Sequence, residues 1–190
     1  MLAGRCDVKL APTAIAGVFV AQTNAFEDNR GAFARLYCES DLAEAVAGRQ
    51  IRQINHSRTA TVGAVRGMHF QFAPHAETKM VRCLKGRVWD VAVDLRAGSP
   101  TFLQYHAQEL SPGNALMLVI PEGCAHGFQV LEPDSELLYL HTANYVPAAE
   151  GGVRFDDPIL SLPWPLPMAD LSERDKKHPL LNTNFRGITL

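Results

Sequence analysis

The segment Arg87–Leu95, RVWDVAVDL, alternates strictly. Trp89, Val91, Val93 and Leu95 fall on one side of an extended chain, and Val88, Asp90, Ala92 and Asp94 on the other. A period of two is the pattern of a β-strand. ALMLVI (115–120) reads as a short, wholly apolar strand stopped by PEG. ELLYLH (136–141) alternates again, so that Leu137, Tyr139 and His141 share a face. Turn signals (DNRG, LKGR, AGSP, SPGN, PEG, EPDS) separate such runs roughly every 8–20 residues, the rhythm of an all-β sandwich or barrel. Two short helices are expected. SDLAEAVAGR has Ser40 or Asp41 as its cap, Glu44 in the first turn and Gly48 as its stop. LSERDKKHP has Ser172 as its cap, Asp175 three residues on and Pro179 as its end. The proline-rich DDPILSLPWPLPMAD reads as a packed extended segment through Ile159, Leu160, Leu162 and Trp164 rather than as a linker.

The chain has 190 residues, which suits one domain spanning 1–190. A domain of this size buries roughly 70% of its unfolded surface and needs neither disulfide nor metal to fold. A net charge of -2 with no basic run excludes the electrostatic footprint of a nucleic-acid or anionic-membrane binder. Cys6, Cys38, Cys83 and Cys124 are far apart and form no C-x-x-C pair, so they are read as free thiols in a reducing compartment. No run approaches the roughly 18 apolar residues of a membrane span, and no apolar signal region opens the chain, so the expected location is the cytoplasm. The acceptor triplet at Asn55 carries little weight without a secretion signal.

The groups with chemical potential are His69, Lys79, Asp90, His126, Tyr139 and Asp175. His69, in RGMHFQ, admits three readings: a hydrogen-bonded core histidine, a metal ligand, or a catalytic base. A metal site calls for two or three ligands in tight spacing, and Phe70 and Gln71 follow instead, with His75 and Glu77 set off in a turn-like segment. His126, in IPEGCAHGFQVL, stands before Gly127 at a strand-to-turn mouth among apolar neighbours, which favours a buried functional place over a surface loop. Lys79 taken alone reads as solvated. Asp90 either faces solvent or points into a barrel, where it needs a partner. Asp175, three residues after Ser172, has the look of a capping-box carboxylate.

Seven motifs, DNRGAF, RQINHS, VRGMHFQ, KMVRCLKGRVWDVAVDLRAGSPTF, IPEGCAHGF, LLYLHTANYVPAAEGGVRFDDPIL and LSERDKKHPLL, follow one another in order. In sequence and spacing they resemble the dTDP-4-dehydrorhamnose 3,5-epimerase family, the RmlC-type branch of the cupin β-barrels, over about residues 8–182. The resemblance implies a metal-free, cofactor-free jelly-roll homodimer acting on a nucleotide-linked 4-keto-6-deoxyhexose. It implies His69 as catalytic base, Asp175 as its paired carboxylate, and Tyr139 as general acid on the opposite sugar face. Lys79 and His126 match groups near the sugar. Arg66, Gln53 and Asn55 match substrate contacts, Arg30 and Phe26 match positions near the nucleotide, and Tyr145 and Glu150 match the segment that follows. A ketone-adjacent proton needs a base of near-neutral pKa and a donor for the enolate, and these residue types supply both, with Lys79 chosen as the donor and His126 as its helper. Arg35, Leu140, Asn144 and Phe155 depart from the family pattern, which leaves open an altered nucleotide carrier, inversion at one carbon only, or a sugar-nucleotide-binding protein without turnover.

Overall fold

The computed structural model describes residues 7–190. Its strands are β1 (Val8–Pro12), β2 (Phe19–Thr23), β3 (Phe26–Asp28), β4 (Gly31–Phe33), β5 (Gln53–Thr59), β6 (Val65–Gln71), β7 (Lys79–Lys85), β8 (Val88–Asp94), β9 (Tyr105–Leu110), β10 (Leu116–Ile120), β11 (Cys124–Val130), β12 (Ser135–His141) and β13 (Glu150–Gly152). Two short helices, α1 (Ala43–Val46) and α2 (Glu173–Lys177), complete the regular structure with a 3-10 turn at Pro147–Ala149. A six-stranded sheet runs β1-β2-β10-β7-β12-β5, and a five-stranded sheet runs β13-β6-β11-β8-β9. The strands pair antiparallel throughout both sheets. This is the double-sheet, jelly-roll arrangement that the strand rhythm predicts.

The two sheets pack face to face. Val81, Leu118 and Leu137 from one meet Val88, Ala92, Leu110 and Phe128 from the other in a single core cluster. Their outer faces are covered as well. Met68, Val91, Val93 and Leu95 lie under the chain's last third, through Leu160, Leu162, Trp164 and Phe185. Met80, Met117, Val119 and Leu140 lie under Leu42 and Val46. Burial on both faces settles the side of β8 that holds Asp90. It points inward and is fully buried, rather than facing solvent.

The helix ends differ in part from expectation. Leu42 occupies the N-cap of α1 and makes no side-chain cap bond. Asp41 has been drawn off to accept the N–H of Val8 at 3.2 Å. Ser172 does cap α2, its hydroxyl accepting the N–H of Asp175 at 3.0 Å. In the proline-rich segment Leu160 is buried and Trp164 Nε1–H donates to the carbonyl of Phe155 at 2.8 Å, but Ile159 is left largely exposed. Cys38, Cys83 and Cys124 are free thiols, and Cys6 lies outside the described residues.

One contact aligns the inner faces. A Cβ on Gly67 would stand 2.5 Å from Cα of Gly127, and Gly67 has φ +139°, a conformation that favours glycine. That approach lets β6 and β11 close with His69 directly opposite His126. Gly67→Ala is expected to destabilise the protein by about 2–4 kcal/mol, from the clash and the backbone strain together. A urea-unfolding midpoint equal to wild type would show that the strands adjust around the added methyl.

Candidate active site

Because side chains alternate along a strand, each sheet contributes its inward positions to one interior. The five-stranded sheet supplies His69 (β6), Asp90 (β8) and His126 (β11). The six-stranded sheet supplies Gln53, Asn55 and Ser57 (β5), Lys79 (β7), and Tyr139 and His141 (β12). Between them opens a cavity of about 590 Å³, lined by His69, His126, Lys79, Tyr139, Arg66 and Asn55, with α2 closing one side through Arg174 and Asp175.

His69 Nε2 lies 2.7 Å from Oδ1 of Asp175, whose other oxygen accepts the N–H of Gly67 at 3.3 Å. Burial alone would raise the Asp175 carboxyl. The bond and charge of His69 and the Gly67 N–H outweigh it and hold the carboxyl below its ordinary value. An ionised Asp175 takes the Nε2–H of His69 and leaves the ring's basic lone pair on Nδ1. The Arg174 guanidinium, 3.3 Å from the same Nε2, cannot donate to a nitrogen that already carries a proton. It acts instead on Asp175 Oδ1 at 3.6 Å, and it pairs with Glu150 at 3.1 Å. Tyr145 donates its hydroxyl to Glu150 at 3.0 Å, so Tyr145 and Glu150 form a strut that holds Arg174 at the rim.

Opposite His69, His126 Nε2 stands 2.8 Å from Asp90 Oδ1. Burial pushes the Asp90 carboxyl up and the His126 imidazole down, both toward their uncharged forms. Across the cavity the Tyr139 hydroxyl meets Ser57 Oγ at 3.1 Å, and burial drives the phenol well above its ordinary value, so it keeps its proton at neutral pH. Beside it Glu77 accepts from His141 Nδ1 at 2.7 Å and lies 3.4 Å from Lys79 Nζ. Burial works against the Glu77 charge, but the His141 bond and the Lys79 ammonium prevail, and its carboxyl stays below the ordinary range.

The residues singled out from sequence divide into three groups. His69, Asp175, Tyr139, Lys79, Arg66, His126 and Asn55 line the large cavity. Gln53, Tyr145 and Glu150 line an adjoining recess of about 100 Å³ that shares His69 and Lys79. Phe26 and Arg30 reach neither. They lie on the β3–β4 hairpin, which pairs only with itself, and Arg30 is held by Asp28 at 2.6 Å. Two of the departures from the family pattern, Leu140 and Phe155, are buried core residues and line neither the cavity nor the recess. Ser57, Glu77, His141 and Arg174 also line the cavity or the recess, and none of them is among the site residues expected from sequence. The alternation of QINHS and ELLYLH did place Ser57 and His141 on the faces of Asn55 and Tyr139, and that was the available signal.

Asp175 is not a capping-box carboxylate, since its oxygens serve His69 and Gly67 while only its N–H takes part in the cap. His69, Asp175 and His178 offer ligand atoms within 4.8 Å of one another, the one such grouping among the described residues. Two ligands of a tetrahedral zinc at about 2.0–2.1 Å would stand about 3.3 Å apart. The His69–Asp175 separation of 2.7 Å is instead that of a hydrogen bond, and the Arg174 cation already lies 3.3 Å from that nitrogen and 3.6 Å from that oxygen. A carboxyl held low in the folded state stabilises above its unfolded pKa of about 3.9, and that stability is lost as pH falls through the folded value. Asp175→Asn is therefore expected to cost about 1–3 kcal/mol at pH 7, with the gap from wild type narrowing at pH 3. Urea titrations at the two pH values measure it, and a gap independent of pH would remove the ionised dyad.

With this geometry in place, comparison with known proteins is specific. Residues 12–183 match the family model described as dTDP-4-dehydrorhamnose 3,5-epimerase. The dTDP-4-dehydrorhamnose 3,5-epimerase of Pseudomonas aeruginosa is 42% identical over 173 residues, covering 90% of this chain and 94% of that one. The Bacillus anthracis enzyme of that name, solved with TDP and PPi bound, superposes with a TM-score of 0.88 at 36% identity over 92% of this chain and 99% of its own. The Legionella pneumophila dTDP-6-deoxy-D-glucose-3,5-epimerase, solved with dTDP-4-keto-L-rhamnose, gives 0.87 at 35% identity over 93% and 94%. The chain belongs to the dTDP-4-dehydrorhamnose 3,5-epimerase family, isomerases built on the cupin-type jelly roll.

Proposed function

We propose that this protein inverts C3 and C5 of a dTDP-linked 4-keto-6-deoxyhexose without metal or cofactor. The observation that carries the reading is the placement of a carboxylate-oriented imidazole, His69, on one wall of the cavity and a protonated phenol, Tyr139, on the other. Inversion at carbon requires a base on one face of the sugar ring and an acid on the other. A protein that only bound the sugar would need neither.

In this reading His69 removes the proton next to the C4 ketone, and Asp175 stabilises the imidazolium that forms. The electron pair moves onto the ketone oxygen, where the Lys79 ammonium and His126 meet the developing charge. Tyr139 delivers a proton to the same carbon from the opposite face and recovers one through Ser57, while His69 returns its proton to solvent. The diphosphate lies against Arg66 and Arg174, the guanidinium groups that line the cavity. Phe26 and Arg30 reach the nucleotide of a second copy rather than their own, which is the reading that reconciles their place on the hairpin with the family's pattern and makes the protein a homodimer. The described residues, 7–190, make one domain, since both sheets and α2 contribute to one site. No helix among the described residues is long and apolar enough to cross a membrane, and on its free thiols we place the enzyme in the reducing cytoplasm.

The test is deuterium wash-in from solvent at C3 and C5 of dTDP-4-keto-6-deoxyglucose, followed by NMR. Wild type is expected to exchange and invert both centres. Exchange at one carbon only would make it a monoepimerase, and no exchange at either would leave a binding protein. His69→Asn should lower exchange by about 10²–10⁴-fold with the fold intact. Tyr139→Phe should still exchange deuterium yet fail to invert, and loss of both would move Tyr139 into enolate formation. Activity is expected to survive prolonged chelation. Loss restored by one divalent ion would return the His69–Asp175–His178 cluster to metal binding.

A further inference from the structure

The recess beside Lys79 holds a run of hydrogen bonds whose direction is set from one end. The backbone N–H of Tyr145 can only donate, and it donates to Oε1 of Gln53 at 3.0 Å. Gln53 therefore turns its amide nitrogen to Asn55, whose Oδ1 accepts at 3.0 Å. Asn55 in turn offers its own nitrogen to Nε2 of His141 at 3.3 Å. A ring nitrogen that receives an N–H carries no proton, so His141 holds its proton on Nδ1 and donates it to Oε2 of Glu77 at 2.7 Å. Amide orientations are assigned from the network around them, and here a main-chain group that cannot be reversed makes the assignment. The run ends on a carboxylate with a side chain only 10% exposed, whose other oxygen faces the Lys79 ammonium at 3.4 Å.

We propose that Glu77 and His141 are positioning residues for the reaction. Glu77 anchors Lys79 and terminates a one-way chain that leaves Gln53 and Asn55 with one amide N–H each for the ligand. The inference rests on the epimerase reading and deepens it. Each amide NH2 has two hydrogens and spends one inside the chain. The wall beside Lys79 then presents two amide donors and an ammonium. Such a wall suits a sugar oxygen that carries no proton, a ketone or its enolate, over a hydroxyl that must also donate. His141 is not a second base: Asn55 occupies its lone pair and Glu77 its proton.

The chain is tested without substrate. Long-range ¹H–¹⁵N correlation spectra of the wild-type protein at pH 7.5 are expected to show His141 as the Nδ1–H tautomer. Gln53→Glu should add a second proton. A carboxylate at position 53 accepts from both Tyr145 and Asn55, Asn55 then turns its oxygen toward His141, and Nε2 gains a proton while the Nδ1–H stays on Glu77, so the ring becomes an imidazolium. Any other pattern in wild type, or a ring still neutral in Q53E at that pH, overturns the chain. The catalytic part is read from Glu77→Gln, which still accepts from His141 but gives Lys79 no counter-charge. Its kcat is expected to fall about 10–100-fold with KM little changed and the His141 tautomer retained, and Glu77→Asp should recover part of the rate. An unchanged kcat with a lowered melting temperature would reduce Glu77 to a structural role. If wild type shows no deuterium exchange, the epimerase reading and the catalytic role fall together while the tautomer result stands on its own. If exchange is present and the tautomer is wrong, the chain alone fails.

Discussion

Both faces of the central strands of the two sheets are buried, and that constraint governs what the interior contains. An ionisable group held against those strands has little water to turn to, so it is either paired or driven to its uncharged form. Asp175 has His69 and the Gly67 N–H, Glu77 has His141 and Lys79, Asp90 has His126, and Tyr139 has Ser57. An unpaired charge at any of these places would cost several kcal/mol, a large part of the stability of an ordinary domain. The pairing that makes the interior stable also decides its chemistry.

Three histidines show how far partners alone divide one residue type. His69 meets an ionised carboxylate that fixes its proton on Nε2. His126 meets a fully buried carboxyl, and burial moves both toward neutrality. His141 is held between an amide that donates to it and a carboxylate that accepts from it. Imidazoles held by such different partners can take separate parts in one proton-transfer reaction. The close approach at Gly67 and Gly127 keeps two of the rings directly opposite each other across β6 and β11. A backbone contact of two glycines therefore bears on the separation of two titratable groups.

The β3–β4 hairpin obeys different rules. It belongs to neither sheet, and Phe26 and Phe33 stand exposed on it. Large aromatics left in water on a self-paired hairpin gain little within their own chain, which is consistent with their serving a second copy. In the proposed reading the interior holds the sugar chemistry, and the hairpin and rim carry the contacts with the nucleotide carrier. Arg35, paired with Asp41 at 3.8 Å, is a departure from the family pattern that lies outside the buried core.

The sequence by itself determined the all-β character, the strands at RVWDVAVDL, ALMLVI and ELLYLH with the residues that share each face, and the family. Strict alternation in RVWDVAVDL and ELLYLH is a local property that needs no knowledge of the partner strand, and seven ordered motifs need only the chain. It also singled out His69, His126 and Tyr139. Tertiary structure alone decided the state of each group. Whether Asp90 met water or a barrel, whether Asp175 capped a helix or held an imidazole, and whether Lys79 stood free or was anchored by Glu77 all depended on residues 36, 106 and 2 positions away, brought together by packing. Nothing in the sequence pairs Glu77 with His141, because 64 positions separate them in the chain. Periodicity reports which face a side chain takes. The partner it meets there, and hence its charge, is set by the opposing sheet.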